Sequence, residues 1–87
     1  MALEQQLNDP NVRREYESSA HSFWSAGIGA FNGGKYGNAE FYLGLAGKIF
    51  SELGDRFHTG LVKGWFVNAA KRNTDSAYAQ QLPAWCH

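Results

Sequence analysis

The chain lacks the features that mark secreted and membrane-inserted proteins. It has one cysteine, Cys86, so no disulfide can form within it, and a reducing compartment is expected. No run of about 18 apolar residues is present, as a membrane-spanning helix would need. The first ten residues have neither the basic nor the apolar region of a signal peptide. We therefore predict a cytoplasmic protein that does not act at a membrane.

The chain also lacks an excess of charge of either sign. Eight basic and eight acidic residues give a formal net charge of zero. Nucleic-acid-binding proteins usually show a basic surplus or a basic stripe, because contacts to phosphate dominate their affinity. We therefore predict no nucleic-acid partner.

Residue patterns typical of enzymes and metal sites are missing as well. The three histidines, His21, His58 and His87, form no pair at four-residue spacing, and neither HExxH nor CxxC occurs. We predict a protein that is not an enzyme, with no catalytic residue, no metal and no cofactor. An alternative is a helical protein that binds a small ligand, a cofactor or a metal in a groove between helices. Its metal site would join His21 or His58 to Cys86 and His87.

What the chain has in abundance is apolar and aromatic residues, at 44% and 15% of the sequence. Their three- and four-residue spacing predicts one all-α domain over residues 1–87, a small antiparallel bundle of three main helices. Asp9 and Pro10 begin the first helix, which Gly33 and Gly34 end. The predicted second and third helices span about 36–53 and 56–72, and a short fourth helix follows Thr74. Residues 1–8 are an N-terminal extension, and residues 83–87 are a tail.

Small and aromatic residues recur at set positions of the predicted helices: Phe23 and Gly27 in the first helix, Gly34 and Tyr36 at the turn, Ala39, Tyr42 and Ala46 in the second helix, and Phe66 and Ala70 in a following unit. With these residues, the segment 20–72 resembles the tetratricopeptide repeat, a hairpin of two antiparallel helices with small residues where the helices cross. The resemblance implies about one and a half repeats, whereas a stable array needs about three. The missing burial would come from the N-terminal extension, from self-association or from a partner.

All ten glycines lie between Gly27 and Gly64, and several fall inside predicted helices. Each costs about 1 kcal/mol relative to alanine in a helix interior. We expect close approach of neighbouring groups to offset this cost through dispersion contacts. The glycines predicted to serve helix packing are Gly27, Gly44, Gly47, Gly60 and Gly64, the last two within the chain or against a second subunit.

The first helix has a wider apolar surface than one contact buries. If Phe23, Ala26, Gly27 and Ala30 face inward, a second apolar stripe lies about 100° away around the helix. Two interpretations remain open: the stripe is covered within the chain, or it binds a partner. We predict a small protein–protein interaction module, an adaptor, assembly chaperone or stoichiometric inhibitor, that also forms a homodimer. Its predicted partner-binding residues are Tyr16, His21, Trp24, Ile28, Phe31 and Trp65.

Overall fold

A computed structural model of the chain describes residues 6–87, which form a small all-α bundle with no strand. Three long helices follow one another: α1 (Pro10–Asn32), α2 (Tyr36–Glu52) and α3 (Arg56–Arg72). A single 3₁₀ turn, Ala84–Cys86, lies near the C-terminus. Helix α2 packs against both α1 and α3, whereas the backbones of α1 and α3 come close at few points and these two helices meet through side chains. Over this range no helix has the length and apolar character that crossing a membrane requires.

The two turns between helices are closed in the same way. Gly34 has φ 76° and Gly54 has φ 73°, the left-handed conformation that glycine adopts at little cost. The amides of Gly34 and Lys35 donate to the carbonyls of Phe31 and Ala30, at 3.0 and 2.9 Å. Gly54 and Asp55 make the equivalent pair of bonds at the end of α2. Each turn is therefore a Schellman motif, which satisfies the last carbonyls of the helix and reverses the chain.

Aspartates cap α1 and α3, the first of them at the position predicted from the sequence. Asp9 accepts a hydrogen bond from the backbone N–H of Asn11, and Asp55 accepts one from that of His58. The guanidinium of Arg13 also donates to the carbonyl of Leu53 at 2.5 Å. This bond ties the start of α1 to the end of α2 and fixes the antiparallel hairpin at its open end.

The core lies along α2, where small and large buried side chains alternate. Leu43, Ala46 and Phe50 are fully buried from this helix, and Val62 and Phe66 face them from α3. Ala20 is the fully buried contribution of α1, and Leu7 is also buried. Of the predicted extension over residues 1–8, residues 1–5 lie outside the described part, and Leu7 belongs to the core cluster.

The close contacts expected of glycine are present at Gly27 and Gly47, and Gly44 makes an ordinary packing contact. A Cβ at Gly27 would lie 2.6 Å from Leu43 Cγ, and one at Gly44 would lie 3.4 Å from Phe66 Cε1. A Cβ at Gly47 would overlap the indole of Trp85. A Cβ at Gly60 or Gly64 would meet no described atom within 4 Å. Packing of these two glycines against a second subunit therefore stays a prediction.

The C-terminal region differs from the sequence-based expectation. No fourth helix follows Thr74, because side chains take the backbone hydrogen bonds: Asn73 accepts from the amide of Asp75, and Ser76 accepts from that of Tyr78. Residues 83–87 are not a free tail either, since Trp85 lies on Gly47 and Cys86 is buried.

One side chain of α1 also points differently from expectation. Ala26, which was expected to face inward, is exposed, whereas Ala20 and Gly27 are the buried residues of this helix. The hairpin therefore closes on a narrower strip of α1 than the sequence pattern suggested.

Candidate functional site

The second apolar stripe of α1 faces the same side of the molecule as one stripe of α3. By helical spacing, Trp24, Ile28 and Phe31 follow one another along α1. His58, Leu61 and Trp65 do the same along α3. We call this surface, together with His21, the aromatic face. Apart from the exposed His21 and Leu61, its side chains are half-buried.

One end of the aromatic face is a cluster of rings around Phe50, which is buried below them on α2. The His58 ring stacks on Phe50 with centroids 4.9 Å apart. His21 and Trp24 meet Phe50 edge-on, at 5.1 and 6.1 Å. The rings of His21 and His58 also meet edge-on, with centroids 5.0 Å apart. Edge-to-face arrangements of this kind are favoured by the ring quadrupoles, so the cluster holds α1 and α3 together across α2.

The polar edge of this cluster is an aspartate–histidine pair. The His58 ring nitrogen Nδ1 lies 2.6 Å from Asp55 Oδ2, and the His58 amide lies 3.0 Å from Asp55 Oδ1. Partial burial alone would raise the pKa of the Asp55 carboxyl. The hydrogen bonds from His58 and the positive charges of His58 and His21 outweigh it and bring that pKa below its ordinary value of 3.8. The pair therefore orients the His58 ring and caps α3.

Trp24 contributes a buried polar atom to the same region. Its indole Nε1 is shielded from solvent and has no hydrogen-bond partner among the described residues. An unsatisfied buried donor costs about 1–3 kcal/mol. The position of Trp24 is therefore fixed by the packing of its ring and not by its polar atom.

The other end of the aromatic face is a second cluster, formed by Phe31, Tyr36, Trp65 and Arg72. Phe31 meets Tyr36 and Trp65 edge-on, each at 5.3 Å between centroids. The guanidinium carbon of Arg72 lies 5.0 Å from the centre of the Phe31 ring and 5.7 Å from that of Tyr36. A cation held over aromatic rings gains electrostatic stabilisation, so Arg72 covers one edge of the rings and keeps its charge at the surface.

The structure does not bring all six predicted partner-binding residues together. Tyr16 lies away from the aromatic face, beside a small apolar cavity of about 110 Å³ that Leu7, Ile49 and Leu53 also line. His21, Trp24, Ile28, Phe31 and Trp65 share the aromatic face. His58 and Leu61 were not among the predicted residues, although the steps of three residues from His58 to Leu61 and four from Leu61 to Trp65 were visible in the sequence.

The residues that the alternative metal site would need are not assembled. His21 and His58 lie together, but among residues 6–87 no group of three His, Cys, Asp or Glu side chains is placed to hold a metal ion. Cys86 is buried against the core at the C-terminal segment. Burial raises the pKa of its thiol, although the positive charge of Lys63 partly opposes this effect. A thiol in this environment is mostly protonated near neutral pH and is a poor nucleophile.

Comparison of the chain with protein-family models, with curated proteins and with solved structures gave no match. The geometry of its own residues is therefore the basis for a functional proposal.

Proposed function

We propose that this chain is a small non-enzymatic protein–protein interaction module that binds its partner through the aromatic face and also forms a homodimer. The observation that supports this most directly is the exposure of the aromatic face. Trp24, Phe31 and Trp65 keep part of their surface in solvent, and Leu61 is 42% exposed between them along the helices. Tryptophan is enriched among the residues that dominate binding energy at protein interfaces.

The form of the hairpin supports a relation to the tetratricopeptide repeat. Gly27 lies against Leu43 of α2, Ala39 and Ala46 are buried, and Phe23 stacks on Tyr42. In arrays of that repeat, the first helices of successive hairpins line a shared binding surface. Helices α1 and α3 would have this role here, as one complete repeat and the first helix of the next.

Self-association provides a test that needs no knowledge of the partner. We expect sedimentation equilibrium to show a dimer of the wild-type chain and a weaker dimer for Leu61→Asp, because a carboxylate on an apolar interface must be desolvated. Trp24→Ala should weaken the dimer as well and leave helicity by circular dichroism nearly unchanged. The matched control is Phe41→Ala, which removes a 62% exposed ring from α2 and should leave the dimer intact.

The same variants distinguish the three roles within this class. Proteins that co-purify with the wild type and with Phe41→Ala, but not with Leu61→Asp, are partners of the aromatic face. An adaptor retains two such proteins at once, an assembly chaperone retains an unassembled subunit, and an inhibitor lowers the activity of the one it retains. If Leu61→Asp self-associates as strongly as Phe41→Ala and captures the same proteins, the aromatic face forms neither the dimer interface nor the partner interface. If Trp24→Ala unfolds, Trp24 belongs to the core.

A further inference from the structure

A groove of about 670 Å³ runs along the side of α2 next to the C-terminal segment. Its lining comes from α2, from Phe66 of α3 and from residues 78–85, and no described residue of α1 contributes. The groove is therefore separate from the aromatic face. Its volume falls within the range of about 300–1,000 Å³ that is typical of small-molecule sites.

Aromatic rings form one wall of the groove. Phe66 meets Trp85 with centroids 5.1 Å apart and Tyr78 at 5.5 Å. The absence of a side chain at Gly44 and Gly47 lets the Phe66 and Trp85 rings lie directly on α2. Because Tyr78 is 40% exposed, part of this aromatic wall is open to a ligand.

The groove also contains the carboxylate of Glu40, which is only 8% exposed. Glu40 Oε2 accepts one hydrogen bond, at 3.3 Å, from the side-chain amide of Asn73. Among residues 6–87 no Lys, Arg or His nitrogen lies within ion-pair distance of this carboxylate. Buried charges in proteins are normally paired, and this carboxylate has no ion-pair partner among the described residues.

The other charged residues of the groove do not neutralise Glu40. Lys48 and Glu52 both line it from the exposed side of α2 and have opposite charges. Lys48 is a little over two helical turns from Glu40, which is about 12 Å along the helix axis. The end of the groove near Glu40 is therefore anionic and bordered by aromatic rings.

We infer that this groove binds a small organic cation, an ammonium or guanidinium group on an apolar stem. The cationic group pairs with the Glu40 carboxylate, and the stem lies against Tyr78 and Trp85. Aromatic faces attract cations electrostatically and also bury apolar stems, so both parts of the ligand are recognised. The site is independent of the proposed protein interface and does not require it.

Phenethylammonium is a suitable probe, with 2-phenylethanol and 3-phenylpropionate as neutral and anionic analogues of the same shape. We expect ¹H–¹⁵N NMR titration of the wild-type chain to shift the amide of Gly44 and the indole N–H of Trp85. Phenethylammonium should bind at least tenfold more tightly than either analogue. Equal binding of 2-phenylethanol would overturn the proposal without any variant being made.

Glu40→Gln separates the charge from the structural role of the side chain. The glutamine carbonyl can still accept from Asn73, but the negative charge is gone, so affinity for phenethylammonium should fall at least tenfold. Glu15→Gln makes the same change of charge at an exposed position of α1 and should bind as the wild type does. Unchanged binding by Glu40→Gln would refute the site.

A capped glycine–lysine–glycine peptide tests whether the groove binds a lysine side chain of another protein instead of a small molecule. If this peptide binds as tightly as phenethylammonium, the assignment to a small molecule is wrong.

Discussion

Helices α2 and α3 each contain a pair of closely spaced glycines, and only the pair in α2 is covered by other side chains. Gly44 and Gly47 of α2 lie under the rings of Phe66 and Trp85, whereas Gly60 and Gly64 of α3 have no described atom within 4 Å of a Cβ. Each glycine weakens its helix by about the same amount. The cost is offset by ring packing in α2 and is not offset within the described chain in α3. Replacing glycine by alanine should therefore have opposite effects at covered and open positions.

The largest effect is expected at Gly27, a covered glycine of α1 that faces α2. A methyl group there would lie 2.6 Å from Leu43 Cγ and 3.3 Å from the Leu43 backbone nitrogen, so α1 and α2 would have to separate. We expect Gly27→Ala to lower the free energy of unfolding by about 3 kcal/mol, measured by urea denaturation. Gly29→Ala is the matched control, since its Cβ would meet nothing within 4 Å. It should raise the same free energy by up to about 1 kcal/mol. Equal effects at the two positions would show that packing at the hairpin does not decide the outcome.

A smaller loss is expected at Gly47, because the obstacle is a side chain that can move. Gly47→Ala would displace the Trp85 indole, and we expect a loss of about 2 kcal/mol. The decisive measurement repeats the substitution in a Trp85→Ala background. There the clash is absent, so alanine should stabilise the protein by up to about 1 kcal/mol through helix propensity alone. A loss in both backgrounds would mean that Trp85 does not lie on Gly47 in solution.

The smallest effects are expected in α3. Gly60→Ala and Gly64→Ala should each raise the free energy of unfolding of the monomer by about 0.5–1 kcal/mol, because alanine favours the helix and its Cβ would meet no described atom within 4 Å. Sedimentation of the double variant then tests whether a second copy covers these glycines. Weaker self-association together with a more stable monomer would place the pair at a dimer interface, whereas unchanged association would mean that the pair is simply exposed to solvent.

Local sequence signals were sufficient to predict the three helices and their ends. Asp9, Asp55 and the left-handed Gly34 and Gly54 act within a few residues of their own positions. Such signals can be recognised without knowledge of the fold. The predicted ends of α1 and α3 agree with the structure, and that of α2 differs by one residue.

Structural features that depend on contacts between residues far apart in the sequence could not be predicted in the same way. The spacing of Tyr78 and Leu82 suggested a helix, but the side chains of Asn73 and Ser76 bind backbone amides in the same segment. Nothing local in the sequence indicates that Trp85 packs on Gly47. That contact depends on how α3 packs against α2, because the segment that carries Trp85 follows the end of α3.

The aromatic face was predictable in part for the same reason. The spacing of Trp24, Ile28 and Phe31 on α1 was visible in the sequence, but the buried ring beneath Trp24 belongs to Phe50 of another helix. Tyr16, which was also predicted to bind a partner, lies elsewhere, beside Leu7 and Ile49. Periodicity assigns a residue to a side of its own helix, and only the packed bundle shows which sides meet.

The two Schellman turns also have a consequence for the kinetics of folding. Both turns are closed by bonds between residues three to five positions apart, and each long helix packs on its sequence neighbour. Chains rich in such local contacts fold in microseconds to milliseconds. The Trp85–Gly47 contact joins segments far apart in the sequence, and loop-closure entropy must be overcome before it forms. We expect the three helices to pack first and the indole of Trp85 to dock afterwards on the formed α2–α3 pair.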